Sequence, residues 1–533
     1  MEKDMFDKIH QREKLQLVYV LWTLIMGAVA GKSSDEVEAI VCQENEMKDG
    51  EMRVVEIGDV GRALLIREGK EFHAIGTECS HYKAPLIKGA LCEGRVRCPW
   101  HGACFNIKTG DIEDFPGLDG IPKYKVEVND GQVKVRGNRA MLKAGRLPGV
   151  SPCAAVKPHA TYLIIGGGGA AATCVEALRK EGFNGRIIMT TKEDCRPYDR
   201  PKLSKAMESS AESLALRKPD TYKQLRVEVW TNMEATAIDT AAKNVSFADG
   251  SNVHYDKVML ATGGRPQVLN IPGADLKNIF YLRTPADGNA ISKSCRGKSA
   301  VVIGTSFIGL EVAAFMVGKA SSITVVGRSE VPLKNVLGEK IGMVIRNHLE
   351  DKGVKFVFAN PPAEFIGKNG ALSHVKLSDG SQLPADICVL GVGVTPNTDY
   401  LKGSGVELLS SGHVIVNKQM KSSSNDVYAA GDIVQFPLFM AEDQLCNIQH
   451  WQMAGMHGSV AGSNMAGKSV DIHSVPFFWT AIAGKNLRFA GHNAGYDDII
   501  IDGDLDAYKF IAFYTKRDSM GWVERLVSKM SVL

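Results

Sequence analysis

Two cysteines and two histidines form a pair of matched motifs in the first quarter of the chain. Cys79-x-His81 is followed, after sixteen residues, by Cys98-x-x-His101. Thiolates and imidazoles at such spacings ligate either zinc or an iron–sulfur cluster. Zinc fingers place two cysteines before two histidines, whereas each motif here contributes one residue of each type. The mixed pairs favour a two-iron cluster in which Cys79 and Cys98 bind one iron and His81 and His101 bind the other.

The residues around these motifs resemble Rieske [2Fe–2S] domains, through CPWHGACFN followed closely by TG. High-potential Rieske proteins carry a further cysteine in each loop, and those two form a disulfide. This chain has Ala84 and Pro99 at the matching positions, so we expect no such bridge. It also has Ala103 and Phe105 where those proteins place hydroxyls near the cluster. Fewer hydrogen bonds predict a midpoint potential at the low end of the Rieske range, roughly −150 mV.

Two glycine loops follow, and each lies between an apolar strand and a helix. The first loop reads Gly166-x-Gly168-x-x-Ala171, and the second begins at Gly304 and ends at Gly309. Glycines let the backbone approach a pyrophosphate that binds at the helix N-terminus. Two such units about 140 residues apart predict two related dinucleotide folds.

Four polar residues are candidate ligands of the nucleotide at the first loop. Glu193 lies 27 residues after Gly166 and is the candidate carboxylate for the ribose. Arg200 and Lys205 are cations beside the expected phosphates, and Asp432, in AAGD, follows a strand and is placed to bind a ribose or ribityl hydroxyl.

The second loop leaves the nicotinamide nucleotide undecided between NADH and NADPH. Ser306 replaces its middle glycine, and the partner strand ends at Gly327 and Arg328 instead of at a carboxylate. An acidic residue there selects NADH, whereas an arginine admits the extra phosphate of NADPH. Glu311 lies just beyond the loop, and we expect it to pair with Lys205.

Composition limits the class of protein. The chain has 533 residues and a net charge of +3, so we expect several domains and no binding to nucleic acid. Its 11 dispersed cysteines argue against a disulfide scaffold. The apolar run 15–30 is slightly short for a membrane span and is either a targeting signal, a membrane anchor or a tail.

The order of these features predicts the domains. We expect a tail over 1–48, a Rieske domain over 50–138, a linker over 139–160, an FAD domain split into 161–290 and 410–473, an NAD(P) domain over 291–409, and a C-terminal domain over 474–533. The fold class is a small all-β domain followed by α/β Rossmann-like domains of the pyridine-nucleotide reductase type, with a shortened C-terminal α+β domain.

Taken together, the motifs resemble the Rieske-bearing branch of the apoptosis-inducing-factor family. The resemblance runs from about residue 50 to 515 and rests on CSH…CPWH, GGGGAAATCVEALRKEGF, PYDRPKLSK, ATGGRP, GTSFIGLEVAA, AAGD and HWQMAGMHG. It implies a reductase that binds FAD noncovalently and oxidises NADH or NADPH. It places Arg200, Lys205 and Asp432 on FAD, His450 and Trp451 beside the isoalloxazine ring, and Glu311 near the nicotinamide. It also implies a mitochondrial location, a link to cell death and a homodimer; a membrane-associated or cytoplasmic location is the alternative.

The resemblance predicts hydride transfer from the nucleotide to flavin, with Lys205 and Glu311 as catalytic residues. Single electrons would then pass to the Rieske centre and to an acceptor, which is a redox protein, a quinone or oxygen. That family continues well past residue 491, so the C-terminal domain is expected to be truncated. The alternative is a redox-sensing signalling protein in which nucleotide binding gates partner interactions and turnover is incidental.

Overall fold

The computed structural model describes residues 35–153, 155–157, 159–517 and 523–532. The chain divides into two compact units. The first contains the described residues up to Pro99, Cys104–Ile112 and Asp119–Leu147; the second contains Trp100–Ala103, Glu113–Leu118 and the described residues from Pro148 onward. The apolar run 15–30 lies outside the described residues.

The first unit is built from short strands, as predicted. Its elements are β1 (Glu36–Gln43), β2 (Met52–Ile57), β3 (Gly61–Glu68), β4 (Glu71–Ile75), β5 (Ala90–Cys92), β6 (Arg95–Arg97), β7 (Cys104–Asn106), β8 (Ile112–Asp114), β9 (Asp119–Gly120), β10 (Lys123–Asn129), β11 (Gln132–Asn138), α1 (Arg139–Ala144) and β12 (Leu147–Pro148). Six strands form a sheet in the order β1-β11-β10-β4-β3-β2, and β5, β6 and β7 pair antiparallel in a smaller one. Asp130 and Gly131, with φ of 50° and 75°, form the tight turn of the hairpin between β10 and β11.

Two segments differ from the sequence-based expectation. Residues 36–43, assigned to the tail, form the edge strand β1 and pair antiparallel with β11. The strand was missed because its outward positions are acidic; Glu38, for example, forms an ion pair with Arg136 at 2.8 Å. The expected linker 139–160 begins with helix α1, whose first turn is capped by the Asn138 side chain accepting from the backbone N–H of Ala140 at 2.8 Å.

The second unit alternates strands and helices from residue 161. Its strands are β13 (Thr161–Ile165), β14 (Arg186–Thr190), β15 (Val227–Trp230), β16 (Ala235–Asp239), β17 (Asn244–Phe247), β18 (Asn252–His254), β19 (Lys257–Leu260), β20 (Gly264–Pro266), β21 (Ile279–Tyr281), β22 (Ser299–Ile303), β23 (Ser322–Gly327), β24 (Val354–Phe358), β25 (Pro362–Lys368), β26 (Ala371–Leu377), β27 (Gln382–Pro384), β28 (Ile387–Leu390), β29 (Val394–Pro396), β30 (Val414–Ile415), β31 (Val427–Ala429), β32 (Val434–Leu438), β33 (Gln444–Cys446), β34 (Phe477–Ile482), β35 (Lys485–Gly491), β36 (Asp498–Asp504), β37 (Lys509–Arg517) and β38 (Val523–Val532). Its helices are α2 (Gly169–Lys180), α3 (Pro219–Gln224), α4 (Pro285–Cys295), α5 (Phe307–Met316), α6 (Lys334–Leu337), α7 (Glu339–Glu350) and α8 (Trp451–Met465).

Two parallel sheets organise this unit. The first has the order β15-β14-β13-β19-β31, and the second has the order β21-β28-β22-β23-β24. Their central strands are almost continuously apolar (TYLII, SAVVI, ICVL), as expected for strands covered on both faces. The second sheet lies between β19 and β31 in the chain, so the chain leaves the first sheet after β19 and returns to it at β31.

Helix α8 closes the first fold against α2. A Cβ atom added at Gly458 would lie 2.0 Å from the Ala170 carbonyl oxygen, and one added at Gly462 would lie 2.6 Å from that of Cys174. Both glycines therefore allow a close approach of the two helix backbones. The described residues of 474–533 contribute an antiparallel sheet in the order β34-β35-β38-β37-β36.

Candidate functional site

A large cavity in the second unit lies between the two glycine loops. Its volume is 1250 Å³, and its wall includes the first loop from Gly166 to Ala170 and the second from Ser306 to Ile308. The cavity is therefore continuous between two dinucleotide-type loops, and it is large enough to take the reacting ends of two nucleotides together.

The first glycine loop has the geometry of a phosphate cradle. Gly166 has φ of 137°, and a Cβ there would lie 2.1 Å from the Ala261 carbonyl oxygen, so this position requires glycine. A Cβ at Gly168 would have no described protein atom within 4 Å, which leaves the backbone open to a ligand at the start of α2. Ala171, in the third position, is fully buried in the contact between strand and helix.

The second loop keeps the same shape despite its serine. A Cβ at Gly304 would lie 2.3 Å from the Gly391 carbonyl oxygen, and one at Gly309 would lie 2.1 Å from that of Gly304. Ser306 has φ of −79°, which any residue adopts, and its hydroxyl donates to the Gly391 carbonyl at 3.0 Å. The middle position of this loop therefore does not require glycine.

The predicted contact between Lys205 and Glu311 is present at the cavity wall. The Lys205 Nζ atom lies 2.8 Å from Glu311 Oε1, although 106 residues separate them. Glu311 is only 4% exposed and also accepts hydrogen bonds from the hydroxyls of Ser204 and Thr480, the latter at 2.5 Å. Several donors thus offset the cost of burying this carboxylate. Sequence reasoning missed Ser204 and Thr480, since no local pattern links them to residue 311.

Glu193 and Arg200 also meet at the cavity. Their side chains form an ion pair at 2.7 Å, and Tyr198 donates its hydroxyl to the other Glu193 oxygen at 2.8 Å. The Arg200 guanidinium lies 4.7 Å from the centre of the Tyr198 ring and donates to the Arg283 carbonyl. These two contacts hold the Glu193 carboxylate in place at the cavity wall, beside the first loop.

Asp432, His450 and Trp451 line the same cavity. Asp432 lies 3.8 Å from the Arg283 guanidinium, and the Trp451 ring covers Gly169. Burial, with a smaller effect of His492, lowers the pKa of His450 to about 4, so its imidazole is neutral near pH 7. The buried Nδ1 atom of His450 has no hydrogen-bond partner among the described residues. An unsatisfied buried polar atom on this wall fits a bound group with its own donor or acceptor.

Thiol chemistry is absent from the cavity. No cysteine is among the described residues that line it. Cys174, on α2, is fully buried, and burial raises the pKa of its thiol. The 11 cysteines all lie within the described residues, and none of them forms a disulfide there. The described cavity wall therefore offers no dithiol that could relay electrons away from a flavin.

The two motif cysteines lie together in the first unit. Cys79 and Cys98 are 2% and 3% exposed, and their thiols are within hydrogen-bond contact. That contact, together with burial, raises the pKa of Cys79. Two adjacent buried thiols are the donor set that one iron of a two-iron cluster requires. His81, in the same unit, stacks on Tyr82 with ring centroids 3.8 Å apart.

His101 belongs to the second unit and lies beside the wall of the cavity. Its ring centroid is 4.8 Å from that of Trp479, a residue that lines the cavity. Burial, reinforced by the charges of Arg488 and Lys205, lowers the pKa of His101 to about 4. The neutral imidazole is the form that ligates a metal.

The described part of the chain contains no group of three or more His, Cys, Asp or Glu side chains arranged for a single metal ion. A Rieske centre does not need such a group, because each of its two irons takes only two protein ligands. The assignment of all four motif residues to one cluster remains a prediction.

Two parts of the chain match known protein families. Residues 38–125 match the family "Rieske [2Fe-2S] domain", and residues 160–458 match "Pyridine nucleotide-disulphide oxidoreductase". The first match begins within β1, at residue 38.

Curated relatives and a solved structure agree with these families. The chain is 44% identical over 491 residues to "Apoptosis-inducing factor 3" of Homo sapiens, which covers 91% of this chain and 81% of that protein. It is 31% identical to the "Benzene 1,2-dioxygenase system ferredoxin--NAD(+) reductase subunit" of Pseudomonas putida, over 64% of this chain and 83% of that protein. It is also similar to the structure of the covalent putidaredoxin reductase–putidaredoxin complex, with a TM-score of 0.66 and 27% identity over 70% of this chain and 90% of that chain. Among the described helices, none has the length and apolarity that crossing a membrane requires.

Proposed function

Because the chain belongs to the Rieske-bearing branch of the apoptosis-inducing-factor family and is an FAD-dependent NAD(P)H oxidoreductase, we propose that it passes electrons from its flavin to its own Rieske centre and then to a separate redox protein. When bound, FAD accepts a hydride from the nicotinamide nucleotide, and the [2Fe–2S] cluster accepts electrons one at a time. The relatives include a ferredoxin reductase and a reductase–redoxin complex, which favours a protein acceptor over a quinone or oxygen.

The contact between His101 and Trp479 carries the proposal. Trp479 lines the cavity, and its ring lies against a predicted cluster ligand. No thiol is available at the described cavity wall to take electrons instead. We therefore assign the side chain of Trp479 to the route by which electrons leave the cavity.

The nucleotide-binding roles follow from the two loops. We assign Gly166, Gly168 and Ala171 to the FAD pyrophosphate site, and Gly304 and Gly309 to that of the nicotinamide nucleotide. Further FAD contacts are assigned to side chains of the same cavity, namely Glu193, Arg200, Asp432, His450 and Trp451.

Lys205 and Glu311 are assigned as the catalytic pair. They meet where the first fold and the second loop face one cavity, so the Lys205 ammonium supplies positive charge beside the reacting rings. Glu311 fixes the position of that ammonium through the contact at 2.8 Å.

The cluster ligands are assigned as Cys79, His81, Cys98 and His101. The two cysteines contribute adjacent buried thiols, and His101 contributes a neutral imidazole. Replacing Cys98 by serine should remove iron and acid-labile sulfide from the purified protein.

Anaerobic rapid mixing with NADH or NADPH tests the proposal. Flavin absorbance should bleach first, and the electron paramagnetic resonance signal of a reduced Rieske centre should follow. The Cys98→Ser variant is the control; its flavin should still bleach, with no cluster signal. Flavin bleaching in the unmodified protein that never leads to cluster reduction would contradict the proposed route.

The same experiment separates the proposal from the redox-sensing alternative. A sensor would give slow flavin reduction and a stable charge-transfer band without cluster reduction. Ser306 gives no support to the sensor, because its φ is one that any residue adopts and its hydroxyl donates to the Gly391 carbonyl within the loop. A pro-apoptotic role, a mitochondrial location and a homodimer follow from family resemblance. Cell-death assays, fractionation and sedimentation of the full chain test them.

A further inference from the structure

The strand tip beside the second glycine loop has no carboxylate. Strand β23 ends at Gly327, and its Val326 carbonyl accepts from the Gly304 backbone N–H at 2.8 Å, so the tip lies directly beside the loop. In dinucleotide folds, an acidic side chain at this tip binds the ribose 2′-hydroxyl of NAD, whereas a nearby arginine accommodates the 2′-phosphate of NADP.

Packing excludes a larger side chain at Gly327. A Cβ at this position would lie 2.5 Å from Thr305 Cγ2, 3.1 Å from Thr305 Oγ1 and 3.2 Å from Phe358 Cδ1. Thr305 is itself part of the loop, so a side chain at position 327 would have to displace a residue of the dinucleotide site. The missing carboxylate is therefore a property of the packing as well as of the sequence.

Arg328 follows at once and is exposed. No ion pair or side-chain hydrogen bond engages it within the described residues. The next carboxylate along the chain, Glu330, is paired with Lys334 at 2.8 Å, and Lys334 also lies 3.7 Å from Glu339. The guanidinium of Arg328 is thus a positive charge at the strand tip that no ion pair among the described residues engages, and it is available to bind a ligand.

We infer that this site selects the 2′-phosphate, so that NADPH rather than NADH is the preferred reductant and Arg328 determines the preference. The inference rests on the proposed oxidation of a nicotinamide nucleotide at this loop. The guanidinium offers charge-assisted hydrogen bonds to a phosphate dianion.

Binding of nucleotide fragments to the purified holoenzyme tests the inference without any electron transfer. By calorimetry, 2′,5′-ADP should bind at least about tenfold more tightly than 5′-AMP. Arg328→Gln should weaken 2′,5′-ADP on the order of 10- to 100-fold and leave 5′-AMP nearly unchanged, whereas Arg328→Lys should retain part of the preference. Lys368→Gln is the charge-matched control, because Lys368 is exposed at the end of β25, and it should leave both affinities unchanged.

Equal binding of the two fragments would overturn the inference, and so would an Arg328→Gln variant that weakens both fragments equally. Stopped-flow reduction of the flavin separates this outcome from failure of the proposed function. If NADH reduces the flavin faster than NADPH and 2′,5′-ADP has no advantage, the inference fails and the oxidoreductase stands. If 2′,5′-ADP binds preferentially while neither nucleotide reduces the flavin, the preference stands and the proposed function fails.

Discussion

Gly166 and Gly168 provide a paired test of the FAD site, because the same substitution to alanine has opposite consequences two residues apart. At position 166 the new methyl would lie 2.1 Å from the Ala261 carbonyl oxygen, on a backbone with φ of 137°. At position 168 it would meet no described protein atom within 4 Å, on a backbone with φ of −100°. Gly166→Ala should therefore lower the stability of the fold. Gly168→Ala should leave stability nearly unchanged and weaken only the binding of FAD.

The expected magnitudes follow from these contacts. Gly166→Ala combines an unfavourable φ with overpacking and should cost about 3 kcal/mol, which lowers the unfolding midpoint by roughly 6 to 12 °C. Gly168→Ala should change the stability of the apoprotein by no more than about 0.5 kcal/mol. Its methyl separates the loop N–H groups from the pyrophosphate, so FAD affinity should fall on the order of 10- to 100-fold.

Two measurements distinguish these effects. Thermal unfolding of the apoprotein reports stability, and titration of the apoprotein with FAD, followed by quenching of flavin fluorescence, reports affinity. A Gly168→Ala protein that binds FAD with unchanged affinity would refute the assignment of this loop. A Gly166→Ala protein as stable as the unmodified chain would refute the packing argument.

Three further predictions concern single groups. Thr480→Val removes a donor to the buried Glu311 carboxylate and should lower stability by about 2 kcal/mol, whereas Thr480→Ser keeps the hydroxyl and should stay near the unmodified protein in thermal unfolding. Burial lowers the pKa of His457 from 6.5 to about 3, so the unfolded chain binds more protons than the folded one between these values. Stability should therefore be lost as the pH falls below 6.5. His457→Gln, which does not titrate, should reduce that loss in thermal unfolding measured as a function of pH. Redox titration of the Rieske centre should give a midpoint of roughly −150 mV, and a positive midpoint would contradict the expected scarcity of hydrogen bonds.

The parts of the molecule that local sequence dictates were predictable. Ligand spacing indicated a Rieske centre before any fold was known, and the family comparison confirms that domain. The two glycine loops were predictable because a strand, a tight turn and a helix must be adjacent in the chain, and the positive φ of Gly166 and Gly304 shows why these two positions are glycine. The Asp130-Gly131 turn is local in the same sense.

The parts of the molecule that depend on contacts between distant residues could not be predicted from the sequence. Strand β1 was assigned to the tail because its partner strand β11 lies almost a hundred residues away and because two of its outward residues, Glu36 and Glu38, are acidic. Ser204 and Thr480 reach Glu311 from 107 and 169 residues away, and an isolated hydroxyl carries no signal of its partner. The stacking of Trp479 against His101 likewise links two regions that no motif connects.

Because the first parallel sheet is interrupted in the chain, the strands of the inserted sheet are all synthesised before the last strand of the first sheet. Every strand of the inserted sheet lies between residues 279 and 390, whereas the outer sheet still lacks β31 (Val427–Ala429) and its covering helix α8 (Trp451–Met465) at that point. Domains fold as units while the chain emerges from the ribosome. All strands of the inner sheet therefore emerge before the outer sheet is complete, whereas Phe489 and Tyr514, which belong to the same hydrophobic core as the inner sheet, emerge only later. A chain that stopped between residues 391 and 426 would hold every strand of the inner sheet, but it would lack β31 and α8 of the outer fold as well as the late core residues Phe489 and Tyr514.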